Sequence, residues 1–160
     1  MGAVTDLRDL PVGYRFHPTG EEFVTHYLKR RVQGIVDHPC IIPDVDIYQC
    51  DPWDLPDKFH AESIIRPDDQ VQEWCFFSPH TPQKVKRSTK FKRSTPSGYW
   101  KKTGDPKEVK ARDASTVIGT KEYLVFYKGR SKNGIKANWV IHEYHGLASD
   151  VLNLFLLYSL

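Results

Sequence analysis

Two stretches in the second half of the chain leave little choice of fold. Ser115 to Lys128 (STVIGTKEYLVFYK) and Ala137 to Tyr144 (ANWVIHEY) are rich in β-branched and aromatic residues, which fit a pleated, half-buried surface. Between them lies Gly129-Arg130-Ser131-Lys132-Asn133-Gly134. Asn-Gly is a strong hairpin signal, because both residues tolerate the positive φ of a tight turn. The two stretches are therefore expected to pair antiparallel. Further strands are expected from Ile41 to Tyr48, entered through Pro43; from Glu73 to Ser78, closed by Pro79 and Pro82; and from Gly98 to Gly104 and Lys107 to Arg112, joined by Asp105-Pro106. Several short strands with turn residues between them, and few helices, predict an α+β fold that is mostly β: a twisted antiparallel sheet flanked by a few helices.

The clearest helix begins at Thr19-Gly20-Glu21-Glu22. Thr19 and Glu22 fit the Ser/Thr-x-x-Glu capping box, and both acids lie where the helix dipole favours negative charge. Phe23, Val24, Tyr27 and Leu28 share one face at helical spacing. Lys29, Arg30 and Arg31 suit the C-terminal end, and Gly34 can stop the helix, so it is expected from Gly20 to Val32. A second, brief helix is expected at Asp51-Pro52-Trp53-Asp54, an N-cap followed by proline at the first helical position. Leu10-Pro11-Val12-Gly13-Tyr14-Arg15-Phe16 is apolar but broken by Pro and Gly, and is expected as an extended edge piece. Residues 1–9 are expected to be loose, and Arg66-Pro67-Asp68-Asp69 marks a turn.

Charge is distributed unevenly. From Lys84 to Lys110 there are ten cations (Lys84, Lys86, Arg87, Lys90, Lys92, Arg93, Lys101, Lys102, Lys107, Lys110) against Asp105 and Glu108. This segment is +8 in a chain that is +3 overall, so the remainder is −5. Crowded like charges repel, and a polyanion that replaces the repulsion with phosphate contacts is the simplest reason to keep them together. Tyr99 and Trp100 stand inside the run, which a merely solvated basic loop would not need. In the strand expected there, Tyr99, Lys101 and Thr103 share one face, and Trp100 and Lys102 the other. One face can present Lys101 and Thr103 while Trp100 anchors the strand.

Other chemistries find little support. The hydrophobic fraction of 39% belongs to a globular chain, and 160 residues suffice for one domain with a core. Cys40, Cys50 and Cys75 form no Cys-x-x-Cys pair, which points to reduced thiols inside the cell. His142-Glu143-Tyr144-His145 is not a His-Glu-x-x-His motif, so neither a metal nor a cofactor is expected. No nucleophile elbow or phosphate-cradling loop is present, and no enzyme is expected. MGAVTDLRDL lacks the apolar core of a signal peptide, and the longest apolar run, Val151 to Leu160, is too short to span a membrane.

Read together, four ordered blocks resemble the NAC domain, the DNA-binding domain of a plant transcription-factor family. Leu10-Pro11-x-Gly13-Tyr14-Arg15-Phe16-His17-Pro18-Thr19-x-Glu21-Glu22 is similar to its opening block. Asp46-Ile47-Tyr48 with Asp51-Pro52-Trp53-Asp54-Leu55-Pro56 is similar to the second. Glu73-Trp74-x-Phe76-Phe77 with Gly98-Tyr99-Trp100-Lys101-x-Thr103-Gly104 resembles the third. Ile118-Gly119-x-Lys121, Leu124-Val125-Phe126-Tyr127 and Trp139-Val140-Ile141-His142-Glu143-Tyr144 resemble the fourth.

The resemblance implies a nuclear protein that regulates transcription by binding duplex DNA with a CGT or CACG-type core. It implies that Trp100, Lys101, Lys102, Thr103 and Gly104 form the strand edge that enters the major groove, with Arg93 ahead of it. Lys84, Lys86, Arg87, Lys90 and Lys107 complete the expected DNA-binding set, Lys84 as at most a phosphate contact. The resemblance also implies a homodimer, or a heterodimer with related NAC proteins, through the opening block (Leu10, Pro11, Gly13), with Arg15 and Glu22 exchanging a salt bridge across the two-fold.

The chain departs from the family in places. Lys102 stands where alanine is usual, Pro106-Lys107 where Asp-Lys is usual, and His80-Thr81-Pro82-Gln83-Lys84-Val85 replaces a basic segment. The expected organisation is a loose stretch 1–9, a DNA-binding and dimerising domain 10–146, and a divergent apolar tail 147–160 (LASDVLNLFLLYSL) in place of a basic fifth block. Two alternatives stay open: a dimerising competitor of full-length relatives, lacking its own activation region, and a single-stranded RNA- or DNA-binding module.

Overall fold

The computed structural model describes residues 10–65, 72–78, 93–130, 133–147 and 152–160. Residues 1–9, the turn at Arg66-Pro67-Asp68-Asp69, and the cations Lys84, Lys86, Arg87, Lys90 and Lys92 lie outside the described residues. Among the described residues the architecture is a six-stranded antiparallel sheet with two longer helical segments and one short 3-10 turn, as the α+β expectation has it. Its strands are β1 (Glu73–Ser78), β2 (Gly98–Lys102), β3 (Lys107–Lys110), β4 (Val117–Lys128), β5 (Ile135–Gly146) and β6 (Asn153–Ser159). They run in the order β1-β6-β5-β4-β2, and β3 also pairs with β4. β2 and β3 lie end to end along one side of β4, opposite Leu124 to Lys128 and Val117 to Lys121 respectively. The hairpin read from Asn133-Gly134 joins β4 and β5, the two longest strands, at twelve residues each.

Helical structure runs from Gly20 to Val32 as the capping signals require. An α-helical turn, Gly20–Glu22, leads into a wider π-helical stretch, Phe23–Leu28, and back to Lys29–Val32. The capping box closes reciprocally: the Glu22 amide donates to Thr19 Oγ1 at 3.2 Å, and the Thr19 amide to Glu22 Oε1 at 2.9 Å. Phe23, Val24 and Leu28 are buried, and Tyr27 packs its ring edge-on to Phe16 at 5.4 Å. The second helix begins as a tight turn, Pro52–Asp54, and continues through Leu55–Glu62.

The two helical segments cover opposite faces of the sheet. By register, Phe76, Phe155, Ile141, Leu124, Phe126 and Trp100 point to one side. Tyr48, Trp53 and Phe59 close over it, with ring centroids 6.4 Å from Phe155, 5.7 Å from Phe126 and 5.7 Å from Phe76. The first helix packs on the other side, where Phe23 meets Tyr144 at 5.1 Å. Buried aliphatic and aromatic side chains of this size each contribute roughly 1.5–3 kcal/mol, so the two half-cores are the main source of stability.

Two strand expectations need correction. Ile41 to Tyr48 forms no strand: it touches β1 through one parallel bridge, Asp44 to Phe77, and then turns over Ile47–Gln49. Pro43 has no amide to donate, and the Asp46 carboxylate takes the Tyr48 amide at 3.2 Å, so the ladder stops there. Leu10 to Phe16 likewise joins no strand among the described residues. The Tyr14 amide bonds back to Pro11 O at 3.2 Å in a local turn, which leaves Leu10, Val12 and Tyr14 exposed.

β6 is the least expected element. It pairs with β1 on one side and β5 on the other, so the sequence division at residue 146 falls between two adjacent strands of one sheet. Leu154, Phe155, Leu156 and Leu157 are all buried. A strand with neighbours on both sides and cover on both faces needs a continuous apolar run, and LFLL supplies it.

Candidate nucleic-acid interface

β2 is the outermost strand on its side of the sheet. Its position is fixed from below and from its N-terminal end. Trp100, 3% exposed, sets its ring against Phe126 at 5.1 Å. Gly98 has no room for a side chain, because a Cβ there would collide with the Tyr127 carbonyl and the Phe126 ring. The loop before the strand is clasped by Asp51, itself 6% exposed, whose carboxylate accepts from Thr95 Oγ1 (2.7 Å), the Ser97 amide (2.9 Å) and Ser97 Oγ (2.7 Å). Burial alone would raise the Asp51 pKa, but these bonds outweigh it and hold the carboxyl below its usual range.

The opposite side of the strand carries Tyr99, Lys101 and Thr103. Tyr99 stacks on Tyr127, with centroids 5.5 Å apart and planes within 8°. The Lys101 ammonium lies 5.8 Å from the centre of the same Tyr127 ring. The ladder extends one bond further, from the Thr103 amide to Tyr123 O at 2.9 Å. Gly104 then takes φ +73, a turn geometry that admits few other residues. Lys101, Lys102, Thr103, Gly104 and Lys107 are all exposed. Thus Lys101 and Thr103 face away from the Trp100 side, as strand alternation allows.

Arg93 sits on the Trp100 side instead. Its carbonyl accepts the Trp100 amide at 2.9 Å, and its guanidinium interacts with the Tyr48 phenol, whose pKa is driven up mainly by burial and only partly offset by Arg93. Lys102 also lies on that side. Its ammonium is 2.9 Å from the Glu122 carboxylate. His145 Nε2 completes a cluster, 3.7 Å from Glu122 Oε2 and 3.2 Å from Glu143 Oε1. Burial lowers the His145 pKa, but the two carboxylates overcome it and raise the imidazole to about 9. Hydrogen bonding from His145, opposed by burial and helped by Lys102, holds Glu122 down to about 2.

Glu122, Glu143 and His145 bring ligand-type atoms within 4.8 Å of one another. Lys102 and His145 thus stand against the Glu122 and Glu143 carboxylates in one cluster. Sequence reasoning did not find this network. Glu122 and Lys102 are twenty residues apart, and only the β2–β4 register places them diagonally on one face.

The opening block forms a second exposed surface. Leu10, Val12 and Tyr14 are 37%, 107% and 67% exposed. Arg15 lies beside them, and Glu22, close by in sequence at the helix start, holds Thr19. That hydrogen bond lowers the Glu22 pKa.

Residues 11–146 match the family model described as No apical meristem (NAM) protein. This chain belongs to the NAC-domain family. NAC domain-containing protein 86 of Arabidopsis thaliana is 50% identical over 135 residues, 84% of this chain and 26% of that protein. NAC domain-containing protein 45 of Arabidopsis thaliana is 47% identical over 135 residues, again 84% of this chain and 26% of that protein. NAC transcription factor 56 of Arabidopsis thaliana is 44% identical over 136 residues, 85% of this chain and 35% of that protein. The NAC domain described here therefore spans only about a quarter to a third of the length of these relatives. Among the described residues, no helix is long and apolar enough to cross a membrane.

Proposed function

We propose that this NAC domain binds duplex DNA as a dimer and regulates transcription in the plant nucleus, its β2 edge entering the major groove. The observation that carries the reading is the β2 edge and the turn that follows it: Lys101 on β2, Thr103 and Gly104 just after it, and Lys107 at the start of β3 are exposed, while Trp100 beneath is 3% exposed. A strand edge fits the major groove, where Lys or Arg can reach guanine O6 and N7. Trp100 positions the strand rather than touching the nucleic acid, and Lys101 is the prime candidate for base readout, with Arg93 on the far side of the strand. Lys84, Lys86, Arg87 and Lys90 supply further charge from the same segment of sequence. The CGT or CACG-type core is the site class that the family resemblance suggests. The name of NAC transcription factor 56 fits the same role.

A single-strand-binding module would need aromatic faces open for stacking. Trp100 is buried and Tyr99 is stacked on Tyr127, which favours the duplex reading. Site selection on random duplex DNA, followed by titration against salt, tests it. With about five phosphates neutralised, log K is expected to fall with log salt at a slope of about −4 to −5. Lys101→Ala is expected to cost ~1–3 kcal/mol more on the selected site than on random duplex. A flat salt response, or preference for single-stranded RNA, would reject the proposal.

The dimer reading rests on the exposed Leu10, Val12 and Tyr14 beside Arg15. An apolar patch rimmed by charge is a common docking surface. Arg15→Glu is expected to drive the protein towards monomer in sedimentation velocity at roughly ten times a ~1 μM Kd. Adding Glu22→Arg is expected to restore part of the dimer, while a lower unfolding midpoint reports the lost capping box separately. Wild-type protein that sediments only as monomer at that concentration would refute this part.

A further inference from the structure

Lys102 has a chemistry of its own on β2. It is the cation that this chain carries where the family resemblance leads one to expect alanine. Its neighbour Lys101 meets no carboxylate within ion-pair distance among the described residues, whereas the Lys102 ammonium lies 2.9 Å from both oxygens of Glu122. The Glu122 side chain is only 16% exposed, against 45% for Lys102. Glu122 is therefore the better fixed partner, tied through His145 to Glu143, which is 1% exposed. Glu143 is anchored in turn by Asn153 Nδ2 at 3.3 Å. The chain of contacts runs from the outermost strand, through β4 and β5, into β6.

We propose that Glu122 is a specificity-determining residue that withholds the Lys102 charge from DNA phosphates, lowering sequence-independent affinity while leaving Lys101 to read the groove. The proposal rests on the duplex-binding reading above. The physical argument is one of competition. A phosphate offers Lys102 a contact that any sequence supplies equally, so a free ammonium there strengthens binding to every duplex alike. A fixed carboxylate already in contact satisfies the ammonium without any loss of its own freedom. Strand alternation already puts Lys102 on the Trp100 side of β2, away from the face that carries Lys101.

The test is a double-mutant cycle on random and selected duplexes at neutral pH, each titrated against salt. Glu122→Gln keeps the size of the side chain and one acceptor oxygen, and removes its charge. It is expected to raise affinity for random duplex about three- to tenfold and to steepen the salt slope by about one phosphate, ~0.9, with a smaller gain on the selected site. In the Lys102→Ala background the same Glu122→Gln change is expected to give no gain in random-duplex affinity and no steeper slope. If Lys102→Ala alone flattens the slope by about one phosphate, Lys102 already contacts DNA and the proposal is overturned. If the gain from Glu122→Gln survives in the double variant, it comes from the general loss of negative charge, and the proposal is again overturned. Lys102→Ala alters one exposed side chain, so it decides the matter even where Glu122→Gln lowers the unfolding midpoint. A wild-type protein that binds no duplex at all overturns the duplex-binding reading itself, an outcome distinct from normal binding with an unchanged Glu122→Gln.

Discussion

Truncating the chain after Gly146 is expected to abolish cooperative folding. The cut removes β6, which lies between β1 and β5 and is the strand neighbour of β1 in the sheet order. Six residue pairs to β1 and six to β5 are lost with it. So are Leu154, Phe155, Leu156 and Leu157, at 0%, 0%, 7% and 0% exposed. At roughly 1.5–3 kcal/mol for each buried side chain, the four sum to about 6–12 kcal/mol, which matches the whole net stability of a typical domain, ~5–15 kcal/mol. The buried carboxylate of Glu143 would also lose Asn153. Near-ultraviolet circular dichroism and thermal unfolding report the outcome: a flat trace is expected for the truncated chain, and Leu157→Ala in the full chain is expected to cost ~2–5 kcal/mol. A truncated domain with a sharp transition near that of the full chain would overturn the assignment of β6 as a structural strand.

Trp100→Ala is the second change with a large expected effect, and it joins stability to binding. The indole is 3% exposed, packed on Phe126, which is itself 0% exposed and meets Trp53 edge-on. Removing it leaves a cavity that Phe126 and Trp53 cannot fill without moving, so a cost of ~3–5 kcal/mol is expected. Among the described residues β2 pairs with one strand, β4, and its other edge is held by the short bridge from Ser94 to Tyr99, so loss of its anchor loosens the strand that carries Lys101. Binding to the selected duplex is therefore expected to fall even at temperatures where the rest of the domain stays folded. Lys101→Ala, by contrast, is expected to lower site affinity while leaving the unfolding midpoint unchanged. Measuring midpoint and affinity for both variants separates positioning from contact. Trp100→Ala with native stability and unimpaired binding would contradict the anchoring role.

Much of the fold was legible because it is locally encoded. Thr19 and Glu22 cap a helix whichever sheet it later packs against, since the two hydrogen bonds lie within one turn. The hairpin expected from Asn133-Gly134 forms, but the positive φ falls at Gly129 (φ +107), while Gly134 is needed because a Cβ there would collide with Tyr99. Alternation along Gly98 to Lys102 put Lys101 and Lys102 on opposite sides of one strand, because the period of a strand is two. Ile41 to Tyr48 misled, since its apolar run resembles a strand while Pro43 and Asp46 divert the backbone bonds that a strand would use.

What the sequence by itself determined, then, is the helix at Gly20 to Val32, the β4–β5 hairpin and the strands at Glu73 and Gly98, the segregation of positive charge onto the segment that contains β2, and the four blocks that place the chain among NAC domains. The tertiary structure alone decided three things. It decided which face of β2 is open, because Trp100 is buried only once Phe126 stands across from it. It decided that LFLL completes the sheet between β1 and β5, because an apolar run does not name its partners. And it decided that Lys102 meets Glu122, because a contact between residues far apart in the chain is fixed by strand register, which depends on how whole faces bury together rather than on any local signal.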